Sequence, residues 1–301
     1  MNHFAELVDQ INPTHTLLVP NAIYFKHPGS KHCSDSCPHV QLVALVQTTG
    51  TFSTTTLNIV GTERCYKSGH CISKEVLVTK SFPVNVDSNE STKATITVDL
   101  CPLDFPASVE TKRGSIKYTI SISNGSWTQN SRNITVHSTP TMDTLAPMVD
   151  MFCQTSPKTN ISCTVEGSRL LFVHTDSNNQ QHIVSPFRPT LMLGEGYYPI
   201  VYMEYGIIEN TEAYAGKYKS LYDISKPSRY STKRVMKLKS SSIQTGIRIP
   251  LDILDLNKSG FLNPETNGNQ VHVSHSLYIK LHFESELYTT FYVPIQLVSC
   301  H

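Results

Sequence analysis

Residues 226–239 form the strongest local concentration of charge in the sequence. This basic stretch reads KPSRYSTKRVMKLK, has no acidic residue, and contains the cations Lys226, Arg229, Lys233, Arg234, Lys237 and Lys239. Lysine and arginine at this density attract phosphates and carboxylates, and an arginine can hold such an anion with two hydrogen bonds. We therefore expect the basic stretch to bind acidic or phosphorylated tails of membrane proteins, or anionic lipid. The alternative is a solvated strand edge whose lysines prevent aggregation.

A second segment, residues 31–39, offers the atoms that zinc prefers. Its sequence, KHCSDSCPH, brings together His32, Cys33, Cys37 and His39. Thiolates and imidazoles are the usual ligands of structural zinc, but histidines within one or two residues of the cysteines rarely complete a tetrahedron with them. Further ligands from Cys65, His70 and Cys71 would require two loops to meet. We therefore interpret residues 31–39 as a polar loop, and we expect neither a metal nor another cofactor.

The sequence contains none of the patterns that are typical of catalysis. We find no Gly-x-Ser-x-Gly elbow, no glycine-rich phosphate loop before a helix, and no His-Glu-x-x-His pair. His272 and His275 are three residues apart and so lie on opposite faces of a strand, which argues against a paired ligand site. We interpret the 13 histidines as surface imidazoles, and we expect a protein that is not an enzyme.

The composition is typical of strands that have one solvated face. Only 16% of the residues are charged, below the ~25% of ordinary soluble domains, and the net charge of +1 requires no nucleic-acid partner. No apolar run approaches the ~18 residues of a membrane span. The first residues include Glu6 and Asp9 and do not resemble a secretory signal. We therefore expect a cytoplasmic protein whose eight cysteines are free thiols.

Short β-rich runs separated by turn residues recur along the whole chain. In the first half they lie at residues 16–25, 40–47, 54–60, 75–81, 93–98, 115–123 and 133–137. In the second half they lie at residues 168–174, 200–208, 234–239, 243–251, 271–283 and 288–298. A connector rich in proline, serine and threonine separates the halves at residues 137–160. We predict an all-β protein of two tandem immunoglobulin-like β-sandwich domains, residues 1–145 and 146–301.

Two of these runs alternate clearly enough to predict which face is buried. Residues 105–123 read FPASVETKRGSIKYTISIS, a turn followed by a strand. We expect Pro106 and Ser108 to shape the turn and the ring of Tyr118 to be buried, with one hydrogen-bond partner for its hydroxyl. The inward residues predicted for the two runs are Ile116, Tyr118, Ile120 and Ile122, and Leu277, Ile279, Leu281 and Phe283.

The first of these segments resembles the amino-terminal domain of arrestins, in which a Leu-Pro-x-Ser turn precedes a Gly-Ser-Ile-Arg-Tyr strand. The matching residues are Phe105, Pro106, Ser108, Gly114, Ser115, Ile116, Lys117 and Tyr118. LNIVGTERC at residues 57–65 and Phe82-Pro83-Val84 are similar to two further segments of that domain. In the second half, residues 186–210, GIRIPLDILD at 246–255 and VHVSHSLYIKLHFE at 271–284 resemble the carboxy-terminal domain. The resemblance extends from about residue 14 to residue 298 and implies an arrestin-like arrangement of the two sandwiches.

Within that family, the chain is most similar to the arrestin-related trafficking adaptors, or α-arrestins. These adaptors bring a ubiquitin ligase to membrane transporters and receptors through a Pro-Pro-x-Tyr motif, which this sequence lacks. The resemblance implies a cytosolic adaptor, recruited to the plasma or endosomal membrane, that binds cytoplasmic tails of transporters or receptors. It would couple this cargo to ubiquitination, endocytosis or sorting through a ubiquitin ligase or a coat subunit.

Two other classes of protein stay open. One is a retromer-type sorting subunit, which has a similar fold and binds a coat partner instead of a ligase. The other is a secreted glycan-binding or adhesive β-sandwich protein with disulfides, in which five Asn-x-Ser/Thr sequons would be used. These sequons start at Asn89, Asn124, Asn133, Asn160 and Asn257. Co-purifying partners would separate the first class from the adaptors, and a count of free thiols would separate the second.

Overall fold

The protein is all-β over the part of the chain that the computed structural model describes. That part comprises residues 15–19, 22–25, 40–48, 55–83, 93–100, 105–124, 127–138, 151–156, 161–166, 170–178, 180–183, 189–193, 200–214, 226–228, 234–237, 246–251, 254, 262–285 and 287–300. Every helix or strand assigned within these ranges is a strand. The described residues therefore include no helix of the length and apolarity needed to cross a membrane.

The described residues form 21 strands, numbered here in chain order. Their bounds are β1 (His15–Leu18), β2 (Ala22–Phe25), β3 (Val40–Thr48), β4 (Thr55–Lys67), β5 (His70–Pro83), β6 (Lys93–Leu100), β7 (Val109–Glu110), β8 (Gly114–Asn124), β9 (Trp127–Ser138), β10 (Met151–Thr155), β11 (Ser162–Glu166), β12 (Leu170–Thr175), β13 (Gln181–Ile183), β14 (Thr190–Leu193), β15 (Ile200–Ala213), β16 (Lys226–Ser228), β17 (Arg234–Lys237), β18 (Ile247–Arg248), β19 (Thr266–Asn267), β20 (Val271–Phe283) and β21 (Tyr288–Cys300).

The chain divides into two compact units. The first comprises Met1–Thr139, Glu212–Ile224 and Thr266–His272, and the second comprises Pro140–Thr211, Ser225–Glu265 and Val273–His301. The domain boundary predicted at residues 145 and 146 lies in a segment outside the described residues, so it stays a prediction. The same holds for the polar loop of residues 31–39.

The first unit contains a three-stranded and a six-stranded sheet. The strand orders are β1-β3-β6 and β2-β9-β8-β4-β5, with β7 also paired to β8. The β-rich run of residues 16–25 thus forms two strands in different sheets. In the larger sheet, β4 pairs antiparallel with both β5 and β8. It continues to Lys67, well past the predicted end at residue 60.

The buried face predicted for β8 is confirmed. Ile116, Tyr118, Ile120 and Ile122 are all buried. The Tyr118 hydroxyl donates to the carbonyl of Pro106 at 2.6 Å, and the Ser108 hydroxyl accepts from the backbone N–H of Val136 at 2.9 Å. The turn and the strand of this segment are therefore joined by the hydrogen bonds that their residue types predict.

The second unit contains a four-stranded sheet, β10-β11-β14-β18, and most of an eight-stranded one. The order of the larger sheet is β13-β12-β21-β20-β15-β16, with β17 also on β15 and β19 on β20. The inward face predicted for β20 is confirmed, since Leu277, Ile279, Leu281 and Phe283 are buried in one apolar core. Phe291, Val293 and Ile295 of β21 join the same core, because β20 and β21 pair antiparallel from His275 to His282.

Candidate functional site

The described part of the basic stretch lies at an edge of the eight-stranded sheet. Strand β16 begins at Lys226, and β17 extends from Arg234 to Lys237. Both pair antiparallel with β15, whose Thr211, Tyr205 and Tyr202 are the register partners of Lys226, Arg234 and Lys237. Strand β20 lies on one side of β15 in this sheet. Strands β16 and β17 therefore lie on the other side of β15. The remaining predicted site residues, Arg229, Lys233 and Lys239, lie outside the described residues.

The outer face of the same sheet carries several aromatic side chains. We define the tyrosine face by Tyr202, Tyr278, Lys280, His282, Tyr288 and Tyr292. The Tyr202 ring stacks on His282 with centroids 4.1 Å apart, and the centroid of Tyr288 lies 6.0 Å from that of His282. The Lys280 ammonium lies 4.0 Å above the Tyr288 ring, a cation–π contact. These contacts join side chains of three neighbouring strands.

A carboxylate lies within the tyrosine face. Glu204 on β15 is 8% exposed. The Tyr278 hydroxyl donates to its Oε1 at 3.4 Å, and His282 Nε2 lies 3.5 Å from its Oε2. Two side chains of the tyrosine face, Tyr278 and His282, therefore contact this carboxylate.

A cluster of ionisable side chains lies on the inward side of the second unit. The side chains of His275 and Glu209 are fully buried, with His275 Nε2 3.8 Å from Glu209 Oε2. On the other side of the ring, His275 Nδ1 lies 3.7 Å from Glu265 Oε1. Asn263 donates to Glu209 Oε2 through its backbone N–H at 2.8 Å and through its side-chain amide at 3.2 Å. Glu265 Oε1 accepts from the backbone N–H of Leu297 at 3.2 Å.

The electrostatics of this cluster favour a protonated histidine. Burial by itself would lower the pKa of His275, but the contacts and charges of Glu209 and Glu265 outweigh it and hold that pKa above its usual value. The prediction of surface imidazoles is therefore wrong for His275, because β20 alternates and this position faces the core. The inference that His272 and His275 lie on opposite faces is in keeping with their different burial, since His272 is partly exposed.

The first unit also contains a buried carboxylate. Glu63 on β4 is 0% exposed, and its two oxygens accept from the backbone N–H groups of Asn269, Gln270 and Val271 at 3.1–3.3 Å. Burial raises the pKa of Glu63, while these three hydrogen bonds work in the opposite direction. A Cβ at Gly268 would overlap Glu63 Oε1. The close approach of the 268–271 turn to this carboxylate therefore requires glycine.

Sequence reasoning missed Glu63, Glu209 and Glu265, and the signals for them were weak. Each is a carboxylate at a strand position or beside one, where a solvated side chain is the ordinary expectation. Only Glu209 had a local cue, because it directly follows the apolar pair Ile207 and Ile208. As to metals, nowhere in the described ranges do three or more His, Cys, Asp or Glu residues form a group that could hold one.

No sequence model of a protein family matches the chain, and no curated protein matches it at a significant level. The arrestin resemblance thus depends on the residues quoted above.

Proposed function

We propose that the chain is a non-enzymatic, arrestin-like adaptor that binds cytoplasmic tails of membrane transporters or receptors. It would couple them to ubiquitination, endocytosis or sorting. The proposal rests on the position of the basic stretch. Its two described strands, β16 and β17, both pair with β15 on the same side of that strand. An extended peptide can bind to the edge of a sheet as an additional strand. Cations along that edge would favour acidic or phosphorylated peptides over others.

The finer architecture is part of the same proposal. We propose that the two units are tandem immunoglobulin-like sandwiches in an arrestin-like arrangement. This arrangement is supported by residues 105–123, the segment that resembles the arrestin amino-terminal domain. In this segment the Tyr118 hydroxyl donates to the Pro106 carbonyl, and the Ser108 hydroxyl accepts from the Val136 N–H. A turn tied to its own sheet in this way would explain why the Pro-x-Ser and Gly-Ser-Ile-Lys-Tyr elements occur together.

The proposed location is the cytoplasm, with peripheral recruitment to the plasma or endosomal membrane. It is supported by Cys65, Cys71, Cys153 and Cys163, which are all free thiols, as expected in a reducing compartment. A titration of native and unfolded protein should find eight thiols, the full number of cysteines. Disulfides in the purified protein would favour the secreted alternative instead. Since the sequence has no Pro-Pro-x-Tyr motif, the proposal includes a ligase or coat subunit recruited through a partner.

The proposal is tested by charge reversal combined with proximity labelling in the native cell. The variant Lys233→Glu, Arg234→Glu, Lys237→Glu should lose most labelling of transporters or receptors. The control carries the same number of reversals at exposed sites elsewhere: Lys74→Glu, Lys112→Glu and Arg248→Glu. Unchanged cargo labelling by the first variant would refute the role of the basic stretch. Labelling dominated by coat subunits, without ligases, would favour the retromer-type alternative.

A further inference from the structure

Two cations lie directly opposite each other on the six-stranded sheet of the first unit. Arg64 on β4 is the register partner of Lys74 on β5 and of Ser115 on β8. Directly opposite residues of antiparallel strands share one face of the sheet, with Cβ atoms about 4.5–5.5 Å apart. Because the preceding residue of β4, Glu63, faces the core, Arg64 and Lys74 face outward. Both side chains can therefore reach the same small anion.

Neither cation has an acidic partner among the described residues. The ion pairs of these residues include neither Arg64 nor Lys74, and Arg64 Nε is buried without a hydrogen-bond partner. Buried polar atoms are nearly always hydrogen-bonded, and like charges directly opposite each other on a sheet repel. An anion that accepts hydrogen bonds from both side chains would satisfy the guanidinium and remove the repulsion.

The nearest described carboxylates do not neutralise this pair. Glu110 lies on the same face, but its Oε1 is 2.8 Å from Nζ of Lys117. Glu75 follows Lys74 on β5 and is the register partner of the core-facing Glu63, so it points to the opposite face. The described part of the outer face therefore has an excess of positive charge at β4 and β5.

Strand β5 is also the last strand of this sheet, and no described strand other than β4 pairs with it. The edge of a sheet can bind an extended peptide as an additional strand. Val76, which is 61% exposed, lies two residues after Lys74, on the same face and about 6.6 Å along the strand. A peptide paired with β5 would thus place one side chain beside Lys74 and the next one of that face beside Val76.

We propose that β5 binds an extended peptide that is phosphorylated on serine or threonine. The phosphate accepts hydrogen bonds from Arg64 and Lys74, and an apolar side chain two positions away packs on Val76. A phosphate monoester has a charge of about −1.5 to −2 and three acceptor oxygens, which suits two cations better than a single carboxylate does. The inference goes beyond the proposed function, because this site lies in the first unit and takes a partner other than the cargo of the basic stretch. The control variant that contains Lys74→Glu should therefore keep its cargo labelling.

The test uses four fluorescein-labelled peptides of about ten residues, the length of a long strand. The first has a phosphoserine with a valine two positions to either side. The second is not phosphorylated, the third has glutamate in place of phosphoserine, and the fourth has serine in place of both valines. Fluorescence anisotropy gives the Kd for the wild type, Arg64→Gln and Lys74→Gln. We expect the first peptide to bind about tenfold more tightly than the second and third, and each substitution to remove most of this difference.

Matched variants test the apolar contact and the specificity of the charge. Val76→Ser should weaken binding of the first peptide about fivefold and leave that of the fourth unchanged. Val201→Ser, which removes a 43% exposed apolar side chain from the second unit, and Arg248→Gln, which removes an exposed cation there, should bind all four peptides like the wild type. Because Lys74 is exposed, Lys74→Gln decides the test if Arg64→Gln does not fold.

Three results would overturn the inference. The first is equal affinity of the wild type for the phosphorylated and the unphosphorylated peptide. The second is loss of the phosphopeptide by Lys233→Glu, Arg234→Glu, Lys237→Glu but not by Lys74→Gln, in which case the phosphate binds the basic stretch and the proposed function stands. The third is binding of vesicles that contain a phosphorylated phosphatidylinositol, but of no peptide, in a manner that depends on Lys74; the phosphate then belongs to a lipid headgroup.

Discussion

Gly268 and Glu63 allow a sharp test of how the first unit is packed. A Cβ at residue 268 would overlap Glu63 Oε1, whereas the backbone of this glycine does not have a positive φ. Alanine is thus compatible with the local backbone, and its cost arises from the side chain that it meets. We therefore expect Gly268→Ala to displace the Glu63 carboxylate from the N–H groups of Asn269, Gln270 and Val271.

The loss of stability expected for Gly268→Ala follows from the backbone N–H groups that would lose Glu63 as their hydrogen-bond acceptor. Gln270 and Val271 are buried, and a buried N–H without an acceptor costs about 1–3 kcal/mol. Relief of the buried charge offsets part of this, since burial raises the pKa of Glu63. We expect a loss of about 3 kcal/mol in the free energy of unfolding for Gly268→Ala and of about 2–4 kcal/mol for Glu63→Ala.

The two substitutions should be strongly non-additive. Once Glu63 is alanine, the next atom that the new Cβ meets is Ile116 Cδ1 at 2.9 Å, the end of a side chain that can rotate. Gly268→Ala should then cost only about 1 kcal/mol. The double-mutant cycle should thus give a coupling of about 2 kcal/mol.

Denaturant unfolding followed by tryptophan fluorescence measures this coupling. Trp127 is the only tryptophan, and it belongs to the first unit, so its signal reports on that unit. The matched control replaces Glu75 by alanine, because Glu75 is exposed and is the register partner of Glu63 on β5. Gly268→Ala should cost the same with or without Glu75. Additivity of Gly268→Ala and Glu63→Ala within about 0.5 kcal/mol would refute the contact.

Two further predictions concern titration. Because the folded-state pKa of His275 is raised, its contribution to stability is fully present below the unfolded pKa of about 6.5 and is lost as the pH rises through the higher folded pKa. His275→Gln should remove this pH dependence from the melting temperature of the second unit, measured by thermal unfolding at several pH values. His182→Gln, at an exposed site, should retain it. Burial raises the pKa of Cys65 to about 11 and that of Cys163 to about 12. Alkylation of the native protein at pH about 8, located by peptide mass spectrometry, should therefore modify Cys71 and Cys153 well before these two; equal rates for all four would contradict the buried positions.

The sequence predicted the strands best where alternation coincided with a buried face. The bounds of β20 agree with the prediction, and those of β8 and β21 agree within two residues at each end. A one-residue shift in any such strand would expose its apolar residues, so the pattern fixes both the existence and the register of the strand. The end of β4 was missed because GTERCYK has few β-branched or apolar residues. It is held in the sheet by pairing with β5 and β8, which no local pattern reveals.

The buried ionisable residues could not be predicted for a related reason. Glu63 contacts residues more than 200 positions away in the sequence, and the partners of His275 come from β15 and from the irregular segment before β19. A local window shows a glutamate or a histidine on a strand, for which the surface is the ordinary expectation. The basic stretch was visible because charge density is a local property, but its place beside β15 was not.

In each unit a buried carboxylate accepts backbone N–H groups from an irregular segment of the chain. This role suggests why the cost of burying the carboxylate is tolerated. Glu63 accepts backbone N–H groups from the turn at residues 269–271, and Glu209 accepts from Asn263 in an irregular segment. A buried charge is weak evidence for net stability, since replacing it by an apolar residue often leaves a protein as stable as before. An apolar residue at either position, however, would leave those N–H groups without an acceptor, and the segment could then settle in other arrangements. We therefore infer that Glu63 and Glu209 also select one conformation of the chain around them.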